Sequence, residues 1–276
     1  MTKTYTYWIT TLLLLALCGC SKQEVQVFSA DRGVNFVLYD SLSREYTDNY
    51  EQLKYEHNFF QDYPTAGWNV PDITLSVGVY LEGTLSDQPV HVKIKAEPVE
   101  GYDMPQLGLP AECVIEAGDY RTHFNVVCKK PQTLEKVYKA LLTFDYEASG
   151  LVAGTKERQQ YAITLSDATA WADMFVANET EWNSYYANIL GNYGPMKGRF
   201  ILVACGTNEN DAAYPFSGKD YKGICNYYYN TKMGWGGFSY SSTQGILTAG
   251  LDWYKEAHGK ELTEADGTPV TFKFMQ

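Results

Sequence analysis

The sequence predicts a mainly β protein: an antiparallel β-sandwich over residues 33–166, then a smaller α+β region over 167–276 with one clear helix. Three observations predict it. Apolar and polar residues alternate with period two through successive runs of the first part. Turn-forming residues separate those runs at short intervals. Beyond Ser166-Asp167-Ala168 the composition shifts to Gly, Asn, Tyr and Trp, and one stretch carries helical spacing.

Val34, Phe36 and Leu38 open the set of strands. The segment 41–69 is less regular and reads as an insertion with a short helix around Tyr46–Tyr55. Ile73, Leu75, Val77, Val79 and Leu81 then alternate with Thr74, Ser76, Gly78 and Tyr80, which places the apolar set on one face. Val90, Val92 and Ile94 continue the pattern, as do Tyr120, Thr122, Phe124 and Val126. Tyr138 to Tyr146 and Tyr161 to Leu165 complete it. Glu82-Gly83, Asp87-Gln88-Pro89, Ala117-Gly118-Asp119 and Ser149-Gly150 supply the turns. Short strands with regular turns suggest an immunoglobulin-like sandwich, an architectural likeness that lacks the Cys…Trp…Cys core of antibody domains. In the second region Arg199–Ala204, Tyr221–Tyr229 and Val270–Phe274 read as strands. Ile246, Leu247, Gly250, Leu251 and Tyr254 recur at helical spacing, with Ser242 or Thr243 as the expected cap and Gly259 beyond the end. Asp266-Gly267 reads as a turn into the last strand.

The chain has 276 residues, 45% of them hydrophobic and 20% charged, the proportions of a globular protein with a real core. Its formal net charge is −11, the wrong sign for a nucleic-acid footprint. Tyrosine, with 23 residues, dominates the aromatic share. A ring with an apolar body and a polar tip suits half-exposed β surfaces.

Residues 1–19 read as a lipoprotein signal peptide. Lys3 precedes an apolar run from Tyr7 to Leu17, too short for a spanning helix of about 20 residues. The run ends Leu17-Cys18-Gly19-Cys20, and small residues directly before a cysteine resemble the bacterial lipobox. Gly19 makes Cys20 the acylated position, whereas Leu17 would occupy the small-residue site if Cys18 were modified. An ordinary cleaved signal beside a coincidental cysteine is the alternative. Residues 20–32 form the lipidated cysteine and its tether, and the lack of Asp after Cys20 favours the outer membrane on either face. Cys113, Cys128, Cys205 and Cys225 remain; no C-x-x-C spacing occurs, and buried thiols are expected rather than a disulfide pairing that the spacing singles out.

Several short motifs carry a resemblance. Ile115-Glu116-Ala117-Gly118 precedes a strand, Gly191-Asn192-Tyr193-Gly194-Pro195-Met196-Lys197 precedes the Phe200–Ala204 run, and Trp171 or Trp182 precedes that block. Leu251-Asp252-Trp253-Tyr254 leads to a closing Val270-Thr271-Phe272. With the lipobox, this pattern resembles the uncharacterised, domain-of-unknown-function lipoproteins of Bacteroidetes-type outer membranes that accompany Sus-like glycan-uptake systems. The resemblance implies a glycan-uptake setting and supplies no catalytic residues.

Candidate chemistry is sparse. The four histidines, His57, His91, His123 and His258, form no H-E-x-x-H, and no G-x-S-x-G elbow occurs. His91 and His123 fall at polar strand positions, and Cys205-Gly206 reads as buried structure. Asp173, Glu179 and Glu181 near Trp171 and Trp182 could be drawn as a glycosidase set, though nothing selects two of them. Asn208-Glu209-Asn210-Asp211 offers oxygen ligands for calcium or forms a plain polar loop. Asn178-Glu179-Thr180 matches N-x-T, and Asp40-Ser41-Leu42 resembles a short bacterial O-glycosylation motif. The richest stretch is Tyr227-Tyr228-Tyr229 followed by Trp235, Phe238 and Tyr240 among glycines 234, 236 and 237. Sugar rings stack on aromatic faces, so Trp235, Phe238 and Tyr240 are the candidate glycan-binding residues; packing into the second region's core is the competing reading.

The expected function is therefore a non-enzymatic outer-membrane lipoprotein, accessory to glycan capture, with no cofactor, metal or catalytic residue assigned. Its expected partners are the bilayer through acylated Cys20, a glycan and Sus-like envelope proteins. The rivals are an adhesion or assembly module and a glycoside hydrolase or other hydrolase. Cys20→Ala should release the chain from the membrane fraction, because the acyl chains supply the anchor. Finding the variant still membrane-bound after fractionation would refute the anchor.

Overall fold

The structure, a computed structural model, describes residues 32–47, 49–174, 176–211, 214 and 240–276. The chain order of strands is β1 Gly33–Asp40, β2 Glu45–Thr47, β3 Lys54–Asn58, β4 Ile73–Glu82, β5 Val90–Val92, β6 Ile94–Pro98, β7 Leu107–Gly108, β8 Cys113–Ile115, β9 Arg121–Cys128, β10 Val137–Phe144, β11 Val152–Ala153 and β12 Gln160–Ser166. The helices are α1 Tyr63–Ala66, α2 Tyr146–Ser149, α3 Glu179–Tyr185, α4 Ala187–Leu190, α5 Pro195–Cys205 and α6 Tyr240–His258.

Two main sheets face each other. One runs β11-β1-β4-β9-β7 with β2 paired to β1; the other runs β3-β12-β10-β6. Most pairs are antiparallel, while β1–β11 and β12–β3 are parallel. The alternation read from the sequence is realised: Val77, Val79 and Leu81 are fully buried, and Ile73 and Leu75 pack half-buried against the same core. Phe36 from β1 stacks on Phe144 of β10 at 4.1 Å and meets Tyr161 of β12 edge-on at 6.1 Å. These ring pairs join the sheets.

Local signals explain the strand breaks. The Val90–Lys95 run divides at Lys93, so β5 pairs with β8 while β6 pairs with β10. One extended run thereby serves two sheets. The Tyr138–Tyr146 run stops at Phe144 because Asp145 caps α2, accepting from the Ala148 N–H. Gly150 then ends the turn at a φ of 64°. Cys113 and Cys128 are free, buried thiols.

Four expectations are corrected. The Tyr46–Tyr55 segment is not a helix: it holds β2, a 3-10 turn at Tyr50–Gln52 and β3, which pairs in parallel with β12. A partner about a hundred residues away decides this, and short-range periodicity carries no trace of it. Arg199–Ala204 is not a strand but part of α5. Phe200 to Ala204 are buried on every side, and an apolar run covered all round has no periodicity to distinguish helix from strand. Gly194-Pro195, a helix-start signal, is the readable clue. Val270–Phe274 forms no ladder; Thr263 and Pro269 make one isolated bridge, and Lys273–Met275 closes in a 3-10 turn. Among the described residues the second region is thus helical rather than α+β. The predicted helix is present as α6, begins at Tyr240 ahead of Ser242, and is followed by Gly259 at a φ of 66°. Tyr221–Tyr229 lies outside the described residues.

Burial sets the alkaline limit of the fold. It raises the hydroxyls of Tyr161, Tyr186 and Tyr193 to about 12, and the thiol of Cys128 to about 11. Unfolded tyrosines titrate at about 10 and thiols at about 8.5. Between those values and the folded ones the unfolded chain holds fewer protons, so stability falls as pH rises. Urea midpoints should therefore drop between about pH 8 and pH 11; an unchanged midpoint would refute the burial of these groups.

Candidate functional site

The helical region is joined to the sheets by a buried ionic cluster. Arg199, on α5, is fully buried. Its Nε and Nη2 donate to Asp167 Oδ1 at 2.9 and 2.7 Å, and Nη2 also donates to the Asp167 carbonyl at 2.7 Å. Nη1 donates to Glu135 Oε1 at 3.0 Å and to the Pro195 carbonyl at 2.8 Å. All five guanidinium N–H groups are used, the condition for tolerating a buried charge. Asp167 Oδ2 receives Lys130 Nζ at 2.9 Å and the Tyr63 hydroxyl at 2.9 Å. Burial works against the Arg199 charge, but Asp167, Tyr63 and Glu135 together raise its pKa. The Tyr63 hydroxyl is raised too, by burial and then by Asp167. Glu135 sits at a φ of 58°, in the left-handed region that non-glycine residues avoid, and the cluster holds it there. Its carboxylate also accepts from Thr169 N and Oγ1, each at 2.9 Å.

A second clasp uses the Asn208–Asp211 segment. Asp211 accepts from the Trp68 N–H at 3.1 Å and from Asn69 Nδ2 at 2.9 Å. The N–H groups of Asn208 and Asn210 donate to the carbonyls of Pro64 and Thr65. Asn208 Nδ2 caps the end of α5 through the Val203 carbonyl. Gly67 makes the approach possible: a Cβ there would lie 2.6 Å from Asp211. Of the oxygens considered for calcium, both of Asp211 are occupied by this chain's own donors, while Asn208 Oδ1 is buried without a hydrogen-bond partner. Among the described residues no cluster of His, Cys, Asp and Glu could hold a metal ion.

A cleft of about 500 Å³ lies between the α4–α5 connection and the C-terminal segment. Asn192, Tyr193, Lys197, Asp266, Thr268, Thr271, Lys273 and Gln276 are among its lining residues. Glu264 closes one end. Its carboxylate accepts the N–H groups of Met196 at 2.8 Å and Lys197 at 2.9 Å, a cap on α5 supplied from 68 residues downstream of Met196 and favoured by the helix dipole. Lys197 is 7% exposed and donates to the carbonyls of Leu190 and Asn192, closing α4. Burial lowers its pKa, with Glu264 opposing. The cleft therefore offers amides, hydroxyls and both signs of charge, while its buried ionic groups are committed to helix ends.

Cys20, Trp235 and Phe238 lie outside the described residues, and Tyr240 is the first residue of α6. Asp173 lies in a 3-10 turn at Trp171–Asp173, while Glu179 and Glu181 stand in the first turn of α3. Asn178 Oδ1 caps α3 by accepting the Glu181 N–H, and the Glu181 carboxylate accepts the N–H of Ala177, one residue before the cap. Trp182 is buried, its Nε1 donating to the Gly191 carbonyl. His91 is exposed and pairs with Glu112, and His123 is exposed on β9. Sequence reasoning missed the Arg199 cluster. Its one signal was a charged residue opening an apolar run, which a strand reading leaves at the edge.

The geometry defines a mainly β protein in which two facing sheets carry a helical region with a polar cleft. No protein-family model matches the sequence, and no curated protein matches it. Solved structures match in part. The apo-form Calx CBD1 domain is 10% identical, with a TM-score of 0.30 over 51% of this chain and 99% of that one. WR4, a C. elegans MSP family member, is 11% identical, with a TM-score of 0.22 over 42% and 93%. A Bacteroides ovatus protein of unknown function is 11% identical, with a TM-score of 0.28 over 50% and 46%. All three scores are low, so the architecture stands on the chain's own geometry.

Arg199→Met should destabilise the protein by about 3–5 kcal/mol, since it strips the buried Asp167 Oδ1 of its charged donors and leaves Lys130 alone beside two carboxylates. Adding Asp167→Asn should recover part of that loss. Chemical denaturation measures both; a cost below about 1 kcal/mol for Arg199→Met would show that the cluster does not hold the two parts together.

Proposed function

We propose that this chain is a non-enzymatic, lipid-anchored outer-membrane protein that is accessory to glycan capture. The reading includes an immunoglobulin-like sandwich over residues 33–166, acylation at Cys20, and kinship with the Bacteroidetes-type lipoproteins that accompany Sus-like systems. The observation that carries it is the polar cleft, where amides and hydroxyls line the walls beside charges of both signs. A polyhydroxylated ligand matches that lining better than a lipid would. The carboxylates around it support binding over hydrolysis: Glu264 holds two backbone N–H groups, and Asp266 Oδ1 accepts the Thr268 N–H. On sequence grounds Trp235, Phe238 and Tyr240 remain proposed stacking partners. No helix of the described residues is long and apolar enough to cross a membrane; the proposed anchor is acylated Cys20, on the lipobox of the sequence.

Soluble protein beginning at Ser21 should retain glycans on an array without releasing reducing ends. Asn192→Ala/Thr271→Ala should weaken that retention, and Trp235→Ala should weaken it by about 1–3 kcal/mol, the scale of one stacked ring. Failure to retain any glycan would overturn the reading, and steady release of reducing ends would favour a hydrolase.

A further inference from the structure

We infer that the outer face of the β2-β1-β4-β9 layer is a second carbohydrate-contact surface: an aromatic platform for the rings of a neutral polysaccharide. The inference rests on the glycan-capture reading and adds to it a site on the sandwich.

The strands place rings together on the face opposite the core. Tyr39 and Tyr46 are direct cross-strand partners, with ring centroids 4.8 Å apart. Gly78 on β4 lies between Val37 of β1 and His123 of β9 in register. Because Gly78 has no side chain, Tyr39 reaches across β4 and stacks on His123 at 4.0 Å and 12°. A Cβ at Gly78 would lie 2.7 Å from the Val37 carbonyl and 3.2 Å from Tyr39 Cβ. Two residues along, on the same face, Tyr80 pairs with Arg121. The Arg121 guanidinium sits 5.5 Å from the Tyr80 ring centre and 5.6 Å from that of Tyr46. Tyr120 extends the row, 6.4 Å from Tyr80 and 42% exposed.

The core does not require these rings. The same strands send Phe36, Val77, Val79, Phe124 and Val126 inward, and those residues fill the space between the sheets. An outer sheet face needs only polar residues to stay in water. Here four tyrosines and a histidine form a continuous surface, and the glycine that would otherwise weaken the strand marks a close approach.

The chemistry selects the ligand. Ring faces accept the apolar C–H side of a pyranose, while tyrosine hydroxyls, imidazole and guanidinium offer hydrogen bonds to its hydroxyls. The Arg121 guanidinium already lies over two ring faces, and the Asp119 carboxylate is close enough to act on the Tyr46 hydroxyl. The platform therefore makes no demand for a charged ligand, and the −11 charge of the chain disfavours acidic polymers.

The test uses the soluble chain from Ser21 and a panel of neutral polysaccharides (xyloglucan, mixed-linkage β-glucan, galactomannan and amylopectin) in affinity electrophoresis. Tyr39→Ala/His123→Ala should weaken retention at least tenfold with an unchanged unfolding temperature. Arg121→Ala, at an exposed strand position, repeats the test should the double variant unfold early. A platform variant that binds as the wild type does, while Asn192→Ala/Thr271→Ala binds less, would overturn the platform and leave the glycan reading intact. A wild-type chain retained by none of the panel, yet positive for other glycans on the array, would overturn the platform alone. A chain silent in both would overturn both.

Discussion

The buried pair of Arg199 and Asp167 is the constraint on which the rest of the arrangement depends. Asp167 follows directly on β12, and Arg199 lies on α5, so one ion pair ties the end of an interior strand to a helix of the second region. Tyr63 and Lys130 bring in the insertion after β3 and the segment after β9, and Glu135 brings in the turn before β10. Two cations and two carboxylates balance within the cluster. A buried ion pair is weak evidence for net stability against an apolar alternative, but it strongly penalises any arrangement that leaves one member alone. The pair therefore specifies how the helical region docks more than how tightly.

Apolar packing supplies the adhesion that the ion pair orients. Phe60, Tyr63, Leu202, Val203 and Tyr214 form a cluster shared by the insertion and α5, and Arg199 lies over the Phe60 ring at 5.0 Å. The Asp211 clasp secures the same insertion from its other side. Residues 59–69 therefore act as the shelf on which α5 rests. That segment is irregular because it turns tightly and meets partners from distant parts of the chain.

Function, in this reading, occupies surfaces that the core leaves free. Beyond Gly33–Val37, where β1 is buried on both faces, the β1, β4 and β9 strands send one face into the core and leave the other to an aromatic row. In the helical region the helix ends are closed by Glu264 and Lys197, residue types that in other settings serve as acid, base or anion site. What remains in the cleft is the amides and hydroxyls beside the exposed charges of Asp266 and Lys273, a lining that can recognise hydroxyls.

The sequence by itself determined the strands with one buried face. Ile73–Leu81 and Phe124–Val126 were legible because period-two alternation is a local record of burial on one side. Helix α6 and its glycine stop were legible for the same reason at a period of 3.6. The tertiary structure alone decided β3, whose parallel partner β12 is remote in sequence, and α5, whose apolar residues are covered on every side and so carry no period. It also decided the candidate surfaces. Tyr39, Tyr46, Tyr80, Arg121 and His123 come from four strands and meet only through register across Gly78. Asp167 and Arg199, separated by 32 residues, could be read as boundary and strand edge until the fold buried both. Local patterns record which face of an element is covered; which distant residues cover it is settled only when the chain closes on itself.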